Sequence, residues 1–386
     1  MSLVGKVGVL YSTKGPYASV SRDCRDGAYL GLAAGQAQAA ASIELQVVSA
    51  DPRADLSRYL SEAQALLRDH GCRHIIGTIT SAARKEIIPI VEKHDALLWY
   101  VCPYEGFEAN ESVIYTGPCP NQHLLPMLDY VMPRFGRRAY LIGANYVWGW
   151  ETNRLARQLL QESNGEATGE RYLPMDETDV GRILADIRSK VPDFIINNLV
   201  GPSSHAFLRA YHELGRQDPR FHPSSRPVVS CNLTECELGT IGSGIAEGNF
   251  SVASYFASLD TPENRNFRSS IAADLGLDRA PSAFLATAYA TARLVAEAIT
   301  LSGTDDPDTI RSSVTSRSFD TVLGRLVIDH RTNHASLPAH VGRISTQDSF
   351  DIVVSHPPLA ADPYLAHPQG RSAICPGPDR HLRVVS

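Results

Sequence analysis

Short apolar runs alternate along the chain with amphipathic stretches in which apolar positions recur at helical spacing. Parallel strands joined by crossover helices write this pattern, because each strand is covered on both faces and each helix on one. Runs at 7–11, 43–48, 74–77 and 96–101 predict four strands, and Leu56, Tyr59, Leu60, Ala63 and Leu67 mark one of the helices between them. After the stretch Gly117-Pro118-Cys119-Pro120 a second series predicts strands at 139–143, 194–200 and 228–230. Its helices are marked by Leu155, Leu159 and Glu162, which lead to a stop at Gly165, and by Val180, Ile183, Leu184 and Ile187, ahead of Pro192. The predicted class is α/β, with two doubly wound parallel-sheet units in tandem.

The remainder of the chain does not make a third such unit. An Ala-rich helix over 281–301 precedes extended pieces at 323–329, 341–345 and 350–355. The economical arrangement returns the chain to the first lobe near residue 250 and crosses again near 330, which makes three hinge crossings. It predicts 1–120 plus 251–330 as lobe one, 121–250 plus 331–365 as lobe two, and 366–386 as a C-terminal tail. A small third domain is the other arrangement. No repeat of 20–50 residues and no low-complexity tract interrupts this reading.

Composition narrows the partners. A formal net charge of -6 and the lack of a clustered Lys/Arg face argue against direct nucleic-acid binding. No run reaches the roughly 18 consecutive apolar residues of a membrane span, so no membrane insertion is expected. Met1-Ser2-Leu3-Val4 passes straight into the first apolar run. That start fits a cytoplasmic chain, or a periplasmic one whose leader has been cut away. The seven cysteines (Cys24, Cys72, Cys102, Cys119, Cys231, Cys236, Cys375) are odd in number and lack a CxxC pair, which leans toward a reducing compartment and buried thiols, with one disulfide left open.

Candidate chemistry belongs in the loops after the strands, where open α/β sheets bind ligands. Gly77-Thr78-Ile79-Thr80-Ser81 enters a helix and places Thr80 or Ser81 at an N-cap beside unpaired N–H groups, a donor-rich site for a carbonyl or anion; plain capping is the competing reading. Residues 99–108 (WYVCPYEGFE) are dense in aromatic and polar groups, suited to orienting a small polar ligand or to packing the lobes. Residues 145–151 (NYVWGWE) and 230–235 (SCNLTE) would face them from lobe two, with Thr234 a natural N-cap. No G-x-S-x-G elbow, Walker loop or H-E-x-x-H is present, and Gly242-Ser243-Gly244 lacks the spacing of a dinucleotide fingerprint. His330 and His334 lie in an extended or turn stretch, which argues against a metal pair. Asp51 and Asp55 read as a strand-end turn and a helix cap. An amide-cleaving enzyme using Ser81 or Cys102 would need a base that no motif supplies. Neither catalysis nor a cofactor is expected.

Three segments, 77–85 (GTITSAARK), 96–108 (ALLWYVCPYEGFE) and 143–153 (GANYVWGWETN), resemble the amide sensors that regulate aliphatic amidase expression. These belong to the type I periplasmic-binding-protein fold and are similar to the urea- and branched-chain amino-acid-binding proteins of ABC transporters. Smaller matches, among them Ala246-Glu247-Gly248, 255–262, Asn333-His334 and Asp362-Pro363-Tyr364, extend the resemblance over nearly the whole chain. It implies an amide-like ligand contacted by Ser81, Tyr100, Cys102 and Pro103 from lobe one and by Tyr146, Trp148, Asn232 and Thr234 from lobe two. It also implies an antiterminator-type regulator as partner in a negative regulator of amidase expression, or an ABC permease in a transporter receptor; homo-oligomerisation is left open. Ile79 stands where the sensors carry an aromatic, Cys102 where they carry threonine and Trp148 where they carry tyrosine, changes that bear on which amide fits.

Overall fold

The computed structural model describes residues 3–39, 43–275 and 280–366; Cys375 and most of the expected tail lie outside them. The first sheet begins with β1 (Leu3–Leu10), β2 (Ile43–Ala50), β3 (His74–Gly77), β4 (Leu97–Tyr100) and β5 (Val113–Tyr115), connected through α1 (Ala18–Gln38), α2 (Leu56–Arg68) and α3 (Ser81–Lys93). The chain then forms α4 (Pro120–Phe135), β6 (Arg138–Ala144), α5 (Val147–Glu162), β7 (Glu166–Leu173), α6 (Gly181–Lys190), β8 (Phe194–Asn198), α7 (Pro202–Gln217), β9 (Val228–Ser230), α8 (Glu235–Ile241) and β10 (Phe250–Ala253). It continues with α9 (Pro262–Leu275), α10 (Ala283–Ser302), α11 (Pro307–Thr315), β11 (Ser318–Thr321), β12 (Gly324–Asp329), β13 (His334–Ala335), β14 (Leu337–Ile344) and β15 (Phe350–Leu359).

The strands make two sheets, ordered β11-β12-β13-β5-β4-β3-β1-β2 and β15-β14-β10-β9-β8-β6-β7. Each has a parallel centre and antiparallel pairing at one end. Strand order reverses between β1 and β3 in the first sheet and between β6 and β8 in the second, so each sheet opens a crevice at the carboxyl ends of those strands. The crossings between sheets lie after β5, after Ala253 and between Ala335 and Leu337. The last two come later than the expected breaks at 250/251 and 330/331. The reason is strand pairing: Phe250 and Ser251 pair with β9, and His334 pairs with Tyr115.

The strands that the apolar runs predict are present, and Asp55 caps α2 by accepting from the Arg58 N–H. Among the elements that the apolar runs did not mark, β5 (VIY) is only three residues long, β7 (EATGERYL) is a half-exposed edge strand, and α1 is rich in small residues. The small residues of α1 have a packing purpose. Gly27, Gly31 and Gly35 lie at four-residue spacing against α10, where a Cβ at Gly27 or Gly31 would fall 2.3 or 2.4 Å from the carbonyl oxygens of Leu285 or Tyr289. Ala288, Ala292 and Ala296 face them. α10 is long and apolar enough to pass for a membrane span, but it is a largely buried helix held against α1.

Gly31→Ala pits a helix-propensity gain of about 1 kcal/mol against overpacking of about 1–3 kcal/mol, because the nearest atom is backbone and cannot turn away. We expect net destabilisation in urea denaturation. Gly239→Ala, at an exposed α8 position with nothing within 4 Å of its Cβ, should instead gain roughly 0.5–1 kcal/mol. Equal stability of Gly31→Ala and the parent chain would contradict the close α1–α10 contact.

Candidate functional site

The loop after β3 runs into α3, whose N-cap is Thr80: its Oγ1 accepts from the Ala83 N–H at 3.1 Å. Ser81 is thereby released from capping, while the N–H groups of Ser81 and Ala82 keep no intrahelical acceptor. One turn on, Arg84 is fully buried. Its guanidinium donates to Glu105 Oε1 (3.0 Å) and Glu108 Oε1 (2.8 Å) and lies over the rings of Tyr100 and Tyr104, 4.6 and 4.8 Å from their centroids. Burial alone would weaken its proton affinity, but the neighbouring Glu105 outweighs this and raises its pKa well above the ordinary value. Burial likewise pushes Glu108 up, yet Arg84 and Lys85 hold it at about 2. Ser81 Oγ donates to the second oxygen of Glu105. Its proton is therefore committed inward; Arg84 Nη1 donates to the same oxygen at 3.4 Å, and one lone pair is left to accept.

The second sheet supplies the opposing wall from the loops after β6, β8 and β9. Tyr146 is the N-cap residue of α5 but its side chain makes no capping bond. Burial, reinforced by the charge of Glu105, raises its phenol well above the ordinary value, so it stays a donor. Trp148 is buried against His123, with ring centroids 5.8 Å apart. Asn232 Nδ2 donates to the Leu199 carbonyl at 3.0 Å, which leaves its own carbonyl as an acceptor. Buried Glu237 has Oε1 3.0 Å from His205 Nε2. Between the walls lies a cavity of about 470 Å³, counted to its open mouth. The walls also touch directly. Gly201, at φ +56, approaches the first lobe so closely that a Cβ would fall 1.8 Å from the Pro16 carbonyl oxygen, and Arg154 lies over the Phe107 ring.

Of the residues expected at the site, Ser81, Cys102, Pro103, Tyr146, Trp148 and Asn232 line this cavity together. Tyr100 does not reach it: its hydroxyl donates to the Ile79 carbonyl at 2.8 Å and its ring is covered by Arg84, so it holds the loop from behind. Thr234 precedes α8 without a capping bond and lies in an adjoining compartment. Tyr17, Val20, Val200, Glu237 and Phe284 also line the cavity, although sequence reasoning did not single them out. Tyr17 and Val200 lie in loops after strands and so fall under the same positional rule. Phe284 carries no such signal, because it arrives from α10, far along the chain. Among the described residues, no group of three or more His, Cys, Asp or Glu side chains is placed to hold a metal ion.

The family model described as a periplasmic binding protein domain matches residues 5–369. Among solved structures, an ABC transporter solute-binding protein from R. palustris in complex with 4-hydroxybenzoate has a TM-score of 0.82 at 19% identity, covering 92% of this chain and 98% of that one. An amino acid ABC transporter substrate-binding protein from Pseudomonas fluorescens Pf-5 has a TM-score of 0.79 at 19% identity, over 94% and 98%. A branched chain amino acid ABC transporter periplasmic ligand-binding protein from Burkholderia xenovorans LB400 gives 0.78 at 17%, over 92% and 96%. A curated Geobacillus stearothermophilus protein described as limonene hydroxylase is 31% identical over 128 residues, which is 33% of this chain and 23% of that protein. So short a match to so small a part of it transfers no activity.

The helix that carries Glu237 begins with a second buried carboxyl. Glu235 Oε1 accepts from the Ala257 N–H at 2.7 Å, Oε2 has no hydrogen-bond partner among the described residues, and burial raises the pKa to about 8. A carboxyl raised on folding contributes stability that is fully present below its unfolded pKa of roughly 4.3 and is lost as pH rises through the folded value. The melting temperature of the parent chain should therefore fall more steeply between about pH 5 and about pH 8 than that of Glu235→Gln, with the two profiles running parallel above that. Parallel pH profiles for the two proteins would show that this carboxyl does not titrate there.

Proposed function

The chain belongs to the periplasmic binding protein family, and on that premise we propose a solute receptor whose two lobes close on a small uncharged amide- or urea-like ligand and present it to an ABC permease. The observation that carries this reading is the hydrogen-bonding balance of the cavity. Ser81 Oγ, the Asn232 carbonyl and Glu237 offer acceptors, while the Tyr146 hydroxyl and the first N–H groups of α3 offer donors. A primary amide or urea presents the complementary set, N–H donors beside one carbonyl. None of the lining residues is Lys or Arg, and Arg84 is bound to Glu105 and Glu108 behind the wall. An anionic aromatic acid like the 4-hydroxybenzoate held by the R. palustris relative would enter without a cationic partner beside Glu237.

A second reading keeps the ligand and changes the partner. In a cytoplasmic amide sensor, closure would alter the grip on an antiterminator-type regulator and so control amidase expression. The free state of all six described cysteines favours it. Burial of five of them weakens that argument, since a buried thiol reacts slowly in either compartment. Osmotic-shock fractionation of the native host separates the two readings: release of the protein with the periplasmic contents selects the receptor, and retention selects the sensor.

A thermal-shift panel of acetamide, butyramide, urea, leucine and 4-hydroxybenzoate tests the ligand class, because a ligand that binds only the folded chain raises its melting temperature. Amides or urea should stabilise. Ser81→Ala should weaken their binding by roughly 1–3 kcal/mol through loss of a hydrogen bond in a closed site. Stabilisation by leucine or 4-hydroxybenzoate alone would overturn the assignment.

A further inference from the structure

Beyond the cavity just described, a second compartment of about 290 Å³, counted to its openings, lies on the far side of Pro103, Asn232 and Phe284, the three residues common to both. It lies on the hinge side. Pro118 comes from the crossing into α4, and Val252, Ala253 and Ser254 from the end of β10, where the chain crosses back. Its remaining wall is mainly apolar and includes Val101, Cys231 and Ala283, with Thr287 one turn along α10 from Ala283. Asn232 is fixed by its bond to the Leu199 carbonyl, and Thr234 Oγ1 lies 3.5 Å from Cys236 Sγ. The Asn232 amide nitrogen and the Thr234 hydroxyl thus have neighbours inside the protein, and with most of the lining apolar the compartment suits an apolar occupant.

We infer that this compartment is a subsite for an apolar substituent on the amide, so that the ligand is an amide carrying an aryl or branched alkyl group. The inference rests on the amide reading above. A bare short amide would satisfy the polar groups of the first cavity but leave the second to face empty space, forfeiting the contacts its lining atoms could make. The ring of Phe284, shared by both compartments, offers a flat wall past which a substituent can run.

Titration calorimetry with butyramide, benzamide and phenylacetamide on the full chain, with Ala283→Leu and Thr287→Leu as variants that narrow the second compartment, tests this. The aryl amides should bind the parent chain roughly 10- to 100-fold more tightly than butyramide, the gain expected from burying an aromatic group. Each variant should remove that gain and leave butyramide affinity unchanged, with melting temperatures confirming that both variants fold. Butyramide binding as tightly as the aryl amides to the parent chain would overturn the subsite while leaving the amide reading intact. So would variants that weaken butyramide as much as benzamide. Failure of all three amides, with 4-hydroxybenzoate binding instead, would overturn both.

Discussion

Burial of the Arg84 guanidinium is the constraint around which the first lobe's half of the site is organised. A buried cation is tolerable only when its desolvation is offset by counter-charges and filled hydrogen bonds. Glu105 and Glu108 supply the charges, and Tyr100 and Tyr104 supply ring faces. Tyr104 stacks on Tyr115, which stacks on His334, tying β5 and β13 into the same assembly. Because Glu105 is held in place by Arg84, its other oxygen draws the Ser81 proton inward. The character of the cavity is set accordingly: a positive charge lies nearby but is neutralised behind the wall, and the serine facing the cavity keeps a lone pair to accept.

The second lobe meets that wall through groups set by the reversal of strand order in its own sheet. The loops after β6, β8 and β9 converge because β6 and β8 are neighbours whose following helices leave on opposite faces. Contact between the lobes is close enough to require glycine at 201, where both the positive φ and the nearby Pro16 carbonyl exclude a side chain. The segment after β15 returns to the first lobe, where the Phe107 N–H donates to the Pro363 carbonyl and Phe107 packs edge-on against Tyr364.

Much of this architecture was legible in the chain. Apolar runs separated by amphipathic stretches marked the central strands, because a strand covered on both faces cannot be polar. The rule that ligands gather at strand carboxyl ends then picked out the loops that carry Ser81, Cys102, Tyr146 and Asn232. Edge strand β7 escaped because one side of it meets water, and α1 because its glycines answer to α10 and not to a helical stripe.

The sequence by itself determined the α/β class, the two tandem units and the set of loops in which a site could form, since periodicity and strand ends are local properties of the chain. Tertiary structure alone decided which of those side chains face the cavity. Tyr100 gives its hydroxyl to the Ile79 carbonyl and its ring to the buried Arg84, Thr80 takes the cap and frees Ser81, and Phe284 and Glu237 arrive from α10 and α8. Orientation of this kind depends on burial and on partners distant in sequence, and the spacing of residues along the chain carries no record of either.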